Sequence, residues 1–72
     1  MEVILKVRFK ASKERFENYG PGKYMVYLSF EEDGDTESIL KTILSRKLGL
    51  PESRIHFKSK NFMKDWVFKV DW

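Results

Sequence analysis

Apolar and polar residues alternate with a period of two in four stretches of this chain, and one intervening stretch repeats near 3.6. In residues 2–10, Val3, Leu5, Val7 and Phe9 point one way and Ile4, Lys6, Arg8 and Lys10 the other. That is the pattern of a half-buried strand. Ala11-Ser-Lys-Glu follows as a polar connection, and Arg15-Phe-Glu-Asn-Tyr19 reads as a short strand. Gly20-Pro21-Gly22 is a turn signal, because proline pre-sets φ and glycine accepts positive φ. From Lys23 to Phe30 a second strand is expected, with Tyr24, Val26, Leu28 and Phe30 on its apolar face and Lys23, Met25, Tyr27 and Ser29 on the other. The two segments flanking the turn predict a hairpin. Residues 54–59 alternate again, Ile55 and Phe57 inward, Arg54, His56 and Lys58 outward. Lys60 to Asp65 reads as a loop, and Trp66, Phe68, Val70 and Trp72 alternate with Val67, Lys69 and Asp71 in a last strand.

The helical stretch carries its own boundaries. It is expected from about Thr36 to Leu48, with Asp35 or Thr36 as N-cap. Ile39, Leu40, Ile43, Leu44 and Leu48 fall on one stripe. The acids from Glu31 to Glu37 sit at the positive end of the helix dipole, and Arg46 and Lys47 at the negative end. Gly49 supplies a left-handed stop, Leu50 folds back on the last turn, and Pro51 forbids continuation.

The order is strand, short strand, strand, helix, strand, strand. It predicts a single small α+β domain spanning residues 1–72: two layers, one helix packed on one face of a four- or five-stranded mixed sheet. The other sheet face is left open. A chain of 72 residues buries only about 60% of the surface its unfolded form exposes. It holds no cysteine, so no disulfide and no thiolate-held zinc reinforces it. Packing must suffice, and an aromatic content of 15% fits that need. The apolar runs are too short for a membrane helix. The opening Met-Glu-Val-Ile-Leu-Lys-Val lacks the basic and long apolar regions of a signal peptide, so the expected location is the cytoplasm.

Charge changes the picture through its distribution. The net charge is +3, but residues 1–30, 31–37 and 38–72 carry about +3, −5 and +5. The acids are gathered before the helix, and the rest of the chain is basic. Enzymatic chemistry finds little to work with. His56 is the one histidine, and its place between Arg54 and Lys58 reads as surface, so no catalytic role is expected. Glu31, Glu32, Asp33 and Asp35 are the sole candidates for a hard cation, and they are better explained by the helix start; no metal or cofactor is expected. Gly20-Pro21-Gly22 lacks phosphate-loop spacing, and Pro21 has no amide proton to offer.

The open sheet face is the one candidate site. If Val3, Leu5, Val7 and Phe9 pack under the helix, Lys6, Arg8 and Lys10 lie opposite, with Arg54, His56, Lys58, Lys69 and the hairpin's Met25 and Tyr27. Lys13 and Arg15 add charge from the connection. A basic sheet with a stackable ring is how several small domains hold single-stranded nucleic acid, so RNA or another polyanion is the expected partner. The plainer reading is that alternating charge keeps the face soluble and blocks edge pairing. A second function class, a protein-interaction module, would use a sheet edge or the aromatic Trp66–Trp72 strand.

Several segments stand in the order and spacing of a known family. Lys6-Val-Arg-Phe-Lys-Ala-Ser-Lys, Gly22-Lys-Tyr-Met-Val-Tyr-Leu, Asp33-Gly34 ahead of the helix, and Lys47-Leu-Gly-Leu-Pro-Glu-Ser-Arg-Ile55 together make the chain resemble the YggU-like family of small prokaryotic proteins of unknown function. The resemblance implies a shared fold and no activity. Of the family's Pro-Pro-x-x-Gly-Lys-Ala-Asn run only Gly34 matches, with Asp35, Thr36 and Glu37 in place of Lys-Ala-Asn, so a ligand site built on that run does not carry over. Asp35-Thr36 entering a helix, then Leu48-Gly-Leu-Pro51 and a strand, is also similar to the ubiquitin-like β-grasp. With Asp71-Trp72 where modifiers of that fold carry Gly-Gly, conjugation of that kind is not expected.

Overall fold

The protein is represented by a computed structural model that describes residues 1–71. Its elements in chain order are β1 (Glu2–Arg8), β2 (Arg15–Gly20), β3 (Lys23–Tyr27), α1 (Thr36–Leu48), a 3₁₀ turn (Glu52–Arg54), β4 (Ile55–Lys60) and β5 (Trp66–Val70). One helix packs on a five-stranded mixed sheet of order β2-β3-β1-β5-β4. Two hairpins, β2–β3 and β4–β5, are antiparallel. Between them lies β1, parallel to β3 and antiparallel to β5.

Register decides which side chains share a face, since directly paired residues project to the same side. Val3 pairs with Phe68, and Leu5 with Trp66. On the other flank Leu5 pairs with Tyr24 and Val7 with Val26. Ile55 pairs with Val70, and Phe57 with Phe68. These residues make the helix-side face, where Val3, Leu5, Phe68 and Val70 are completely buried. Phe57 sits 5.3 Å from the Trp66 ring and 5.5 Å from that of Phe68. From the helix, Thr36, Leu40 and Leu44 are the buried line, with Ile43 and Leu48 packed beside it. The helix lies nearest β4 and the 3₁₀ turn.

The helix ends agree with the sequence at the C-terminus and differ at the N-terminus. Gly49 has φ 70°, and the amides of Gly49 and Leu50 both donate to the Ser45 carbonyl. At the other end Asp35 makes no side-chain cap. Instead the Asp33 carboxylate accepts from the Asp35 amide at 2.8 Å, and the Thr36 hydroxyl accepts from the Asp33 amide at 2.9 Å. The cap has moved into the preceding turn, where an Asx-type bond competes with it.

Two strands stop earlier than their alternation suggests. β1 ends at Arg8 because Lys10 turns into the left-handed region, φ 56°, and the Lys10 and Ala11 amides bond to the carbonyls of Phe30 and Leu28. β3 ends at Tyr27, although the Leu28 amide still reaches the Arg8 carbonyl. β4 has one residue too many between Phe57 and Ser59, a bulge at Lys58. The bulge flips the parity beyond it. Lys60, expected in the loop, is in the strand and pairs with Trp66 on the helix side. Its ammonium lies 4.3 Å from the centre of the Trp66 ring and 2.7 Å from the Glu32 carboxylate.

Candidate nucleic-acid interface

The face away from the helix is defined by the other half of each register. Ile4 pairs with Val67 and Glu2 with Lys69. Lys6 pairs with Met25 and Arg8 with Tyr27. Arg15 continues that last row from β2, opposite Tyr27, and His56 joins Lys69 from β4. The expectation that Lys6, Arg8, Tyr27, His56 and Lys69 share one face therefore agrees with the strand pairing; Lys58, in the bulge and without a register partner, reaches the same face through its ion pair with Glu2, and Arg15 joins them as a strand residue.

Within that face the residues fall into two groups of different electrostatic character. On the β4 side the charges compensate one another. Lys58 is paired with the Glu2 carboxylate, which that hydrogen bond and charge hold below the ordinary glutamate range. The His56 Nε2 lies 3.4 Å from Asp71. Lys69 stands beside Glu2. Under these chains Val67 is only 7% exposed, so this half of the open face is closed over by its own side chains.

The β1–β3–β2 half is different. Across it run Arg8, Tyr27 and Arg15, in that order, on three adjacent strands. The Arg15 guanidinium carbon is 5.8 Å from the Tyr27 ring centre. The next row holds Lys6, Met25 and Glu17. Glu17 bonds back to Arg15 at 3.2 Å, and among the described residues neither Lys6 nor Arg8 has a carboxylate within salt-bridge distance. A half-buried ring flanked by two guanidiniums, with a free lysine one row away, is a stacking platform with cations placed around it.

Three predicted residues lie off this face. Lys10, carried away by its left-handed backbone, pairs with Glu31 at 2.6 Å. Lys13 is exposed in the β1–β2 connection, at the end of the sheet where Arg8 and Arg15 stand. Arg54 belongs to the 3₁₀ turn rather than to β4. One further cation, Lys23, shares a row with Ile4 and was legible from its parity with Tyr27. A residue that the pattern did not single out is Phe62. It stands 95% exposed in the β4–β5 connection beside the half-exposed Met63. The loop holding it is built by Asn61, whose side-chain oxygen accepts from the amides of Met63 and Asp65, each at 3.0 Å. No periodic signal marks such a position, because its exposure follows from loop geometry. Trp72, the other aromatic named for surface contact, lies outside the described residues.

Among the described residues no group of three or more His, Asp or Glu could hold a metal ion, and no helix is long and apolar enough to cross a membrane. The fold and the face together define a small two-layer α+β domain with one uncovered, cation-bearing sheet surface. Comparison with protein-family models, with curated proteins and with solved structures gave no match.

Proposed function

We propose that this protein is a non-catalytic module that binds single-stranded nucleic acid, RNA first, on the β1–β3–β2 half of its open sheet face. The observation that carries the reading is the Arg8–Tyr27–Arg15 row with the unpaired Lys6 beside it. A base stacks on Tyr27, and the guanidiniums and the Lys6 ammonium meet the phosphates on either side. Stacking on an aromatic ring is worth about 1–3 kcal/mol per base and tolerates any base, so sequence preference is weak. Lys13 extends the cationic track from the connection. Lys58, His56 and Lys69 contribute less, because Glu2 and Asp71 already stand among them.

The test is a fluorescence titration with a labelled oligouridylate at two salt concentrations. Four cations on a single strand predict a logarithmic salt slope of about −3, near −0.7 per phosphate contact. Arg8→Glu and Lys6→Glu weaken binding and flatten the slope, whereas Lys58→Glu changes it little. If the oligonucleotide fails to bind at low salt, or binds equally well to the Arg8→Glu/Lys6→Glu protein, the reading is wrong.

A further inference from the structure

The Arg15–Tyr27–Arg8 row ends on β1, and beyond β1 the sheet continues through β5 to β4. β5 runs antiparallel to β1, with Trp66 opposite Leu5. Residues before Trp66 therefore lie toward the end of β1 that carries Arg8. Counting on from that pair, Asp65 is level with Lys6, and the tip of the β4–β5 hairpin, Phe62 and Met63, stands near the level of Arg8 and Tyr27. The row that crosses β2, β3 and β1 thus leads to that tip. Neighbouring strands lie about 4.8 Å apart, so the two or three strand spacings from Tyr27 to the tip span about 10–14 Å.

The tip is ordered by its own bonds. The Asn61 amide donates to the Asp65 carbonyl at 3.0 Å, and the Lys64 amide to the Asn61 carbonyl at 2.9 Å. Lys64 takes the left-handed conformation, φ 63°, on the return to β5. The Asn61 side chain accepts the amides of Met63 and Asp65. What this loop holds out is a ring. At 95% exposure neither face of Phe62 is covered, and a base arriving from the open side of the sheet finds it free. Among the described residues no carboxylate lies within salt-bridge distance of Lys64. Of the acids before the helix, Glu32 is bonded to Lys60 at the base of this hairpin and Glu31 to Lys10, so both are compensated. A ring fixed beside a free ammonium repeats the composition of the Tyr27 platform, and its order lowers the entropy cost of binding.

On the reading that the Tyr27 face holds nucleic acid, we infer that Phe62 is its second stacking ring and that the bound strand crosses the β-strands from Arg15 to the hairpin tip. One base stacks on Tyr27 and a later one on Phe62, while Arg8 and Lys64 meet phosphates between them. The gap corresponds to about three or four nucleotides at the rise of about 3.4 Å of a stacked strand, and to fewer when the strand is extended. The ligand is thereby narrowed to a flexible single strand long enough to reach both rings. A dinucleotide occupies one ring alone.

Titrations of the full chain with uridine dinucleotide and with octauridylate test this. Octauridylate should bind about tenfold or more tighter than the dinucleotide. Phe62→Ala should lower the octauridylate affinity about tenfold, the loss of one stacked base, and leave the dinucleotide affinity and the salt slope unchanged. Phe62→Tyr should bind like the parent protein. Phe62→Leu should bind like Phe62→Ala, because leucine keeps apolar bulk and lacks the ring. Phe62 lies outside the core, so all three variants should keep the native amide spectrum. Octauridylate that binds Phe62→Ala as tightly as the parent, yet loses affinity for Arg8→Glu/Lys6→Glu, overturns the second ring and leaves the Tyr27 reading standing. An equal loss for the dinucleotide also overturns it, since one base would then sit at Phe62 alone. Octauridylate that fails to bind the parent protein at low salt overturns both.

Discussion

Glu2 and Lys58 come from strands on either side of β5 and meet over it. That pair lowers the Glu2 pKa, and the direction fixes a pH dependence. A carboxylate whose folded pKa is depressed contributes stability above its unfolded value and loses it as pH falls through the folded one. The contribution of Glu2 is therefore present at neutral pH and disappears below the ordinary value near 4.5. Replacing Lys58 with Met should bring the Glu2 titration, followed by carbon-detected NMR, back up toward that value. A Glu2 titration unmoved by Lys58→Met would show that the pair does not form in solution. Asn61 offers a second test at this scale. One side-chain oxygen accepts two amides in the loop that presents Phe62. Asn61→Ala should cost about 1 kcal/mol in urea unfolding, because of the two amides that lose their acceptor that of Asp65 is partly buried and that of Met63 is exposed.

Among the elements, the helix was legible in the sequence almost to the residue, and the reason is that its start, stop and apolar stripe are all local signals. Gly49 is required there by its φ of 70°, although a Cβ at that position would meet nothing within 4 Å. Gly22 has a similar φ, 65°, but a Cβ there would sit 3.1 Å from the Glu2 carbonyl oxygen. Both glycine-to-alanine changes meet the left-handed penalty of about 1–2 kcal/mol. Gly22→Ala adds a contact with the β1 backbone tight enough that it must give by a few tenths of an ångström, so it should lower the melting temperature more than Gly49→Ala does; equal shifts would contradict that account. Truncating the completely buried Leu44 to Ala should cost about 2–5 kcal/mol, by lost burial and the cavity left behind. The strands were less legible. Alternation places Lys6, Arg8 and Tyr27 on one face correctly, because period two is a property of any strand. It gives no hint of the Lys58 bulge, which turns Lys60 inward onto Trp66, or of the left-handed Lys10, which ends β1 two residues early. Both are set by neighbours distant in sequence. Nor does parity distinguish the compensated half of the open face from the half around Tyr27, since that depends on which carboxylates the register brings alongside.

At the scale of the whole molecule, protection should follow position in the sheet. β1 and β5 are interior and flanked on both sides, whereas β2 is an edge with a bulge after Asn18. Native-state hydrogen exchange should find the slowest amides in β1 and β5 and the fastest strand amides in β2. Uniform protection across all five strands would mean that the sheet opens only as a unit.

The position of β1 has a consequence for assembly. Each of the two hairpins joins neighbouring stretches of chain, yet in the sheet they touch only through β1. Remove that strand and a slot one strand wide remains between two ready-made walls, β3 and β5. The polar, exposed Ser12–Lys13 link is the natural place to sever it. Cut there, the molecule becomes a lock and a key: a short peptide carrying Glu2–Arg8 and a longer piece that should regain its native spectrum only when the two are mixed.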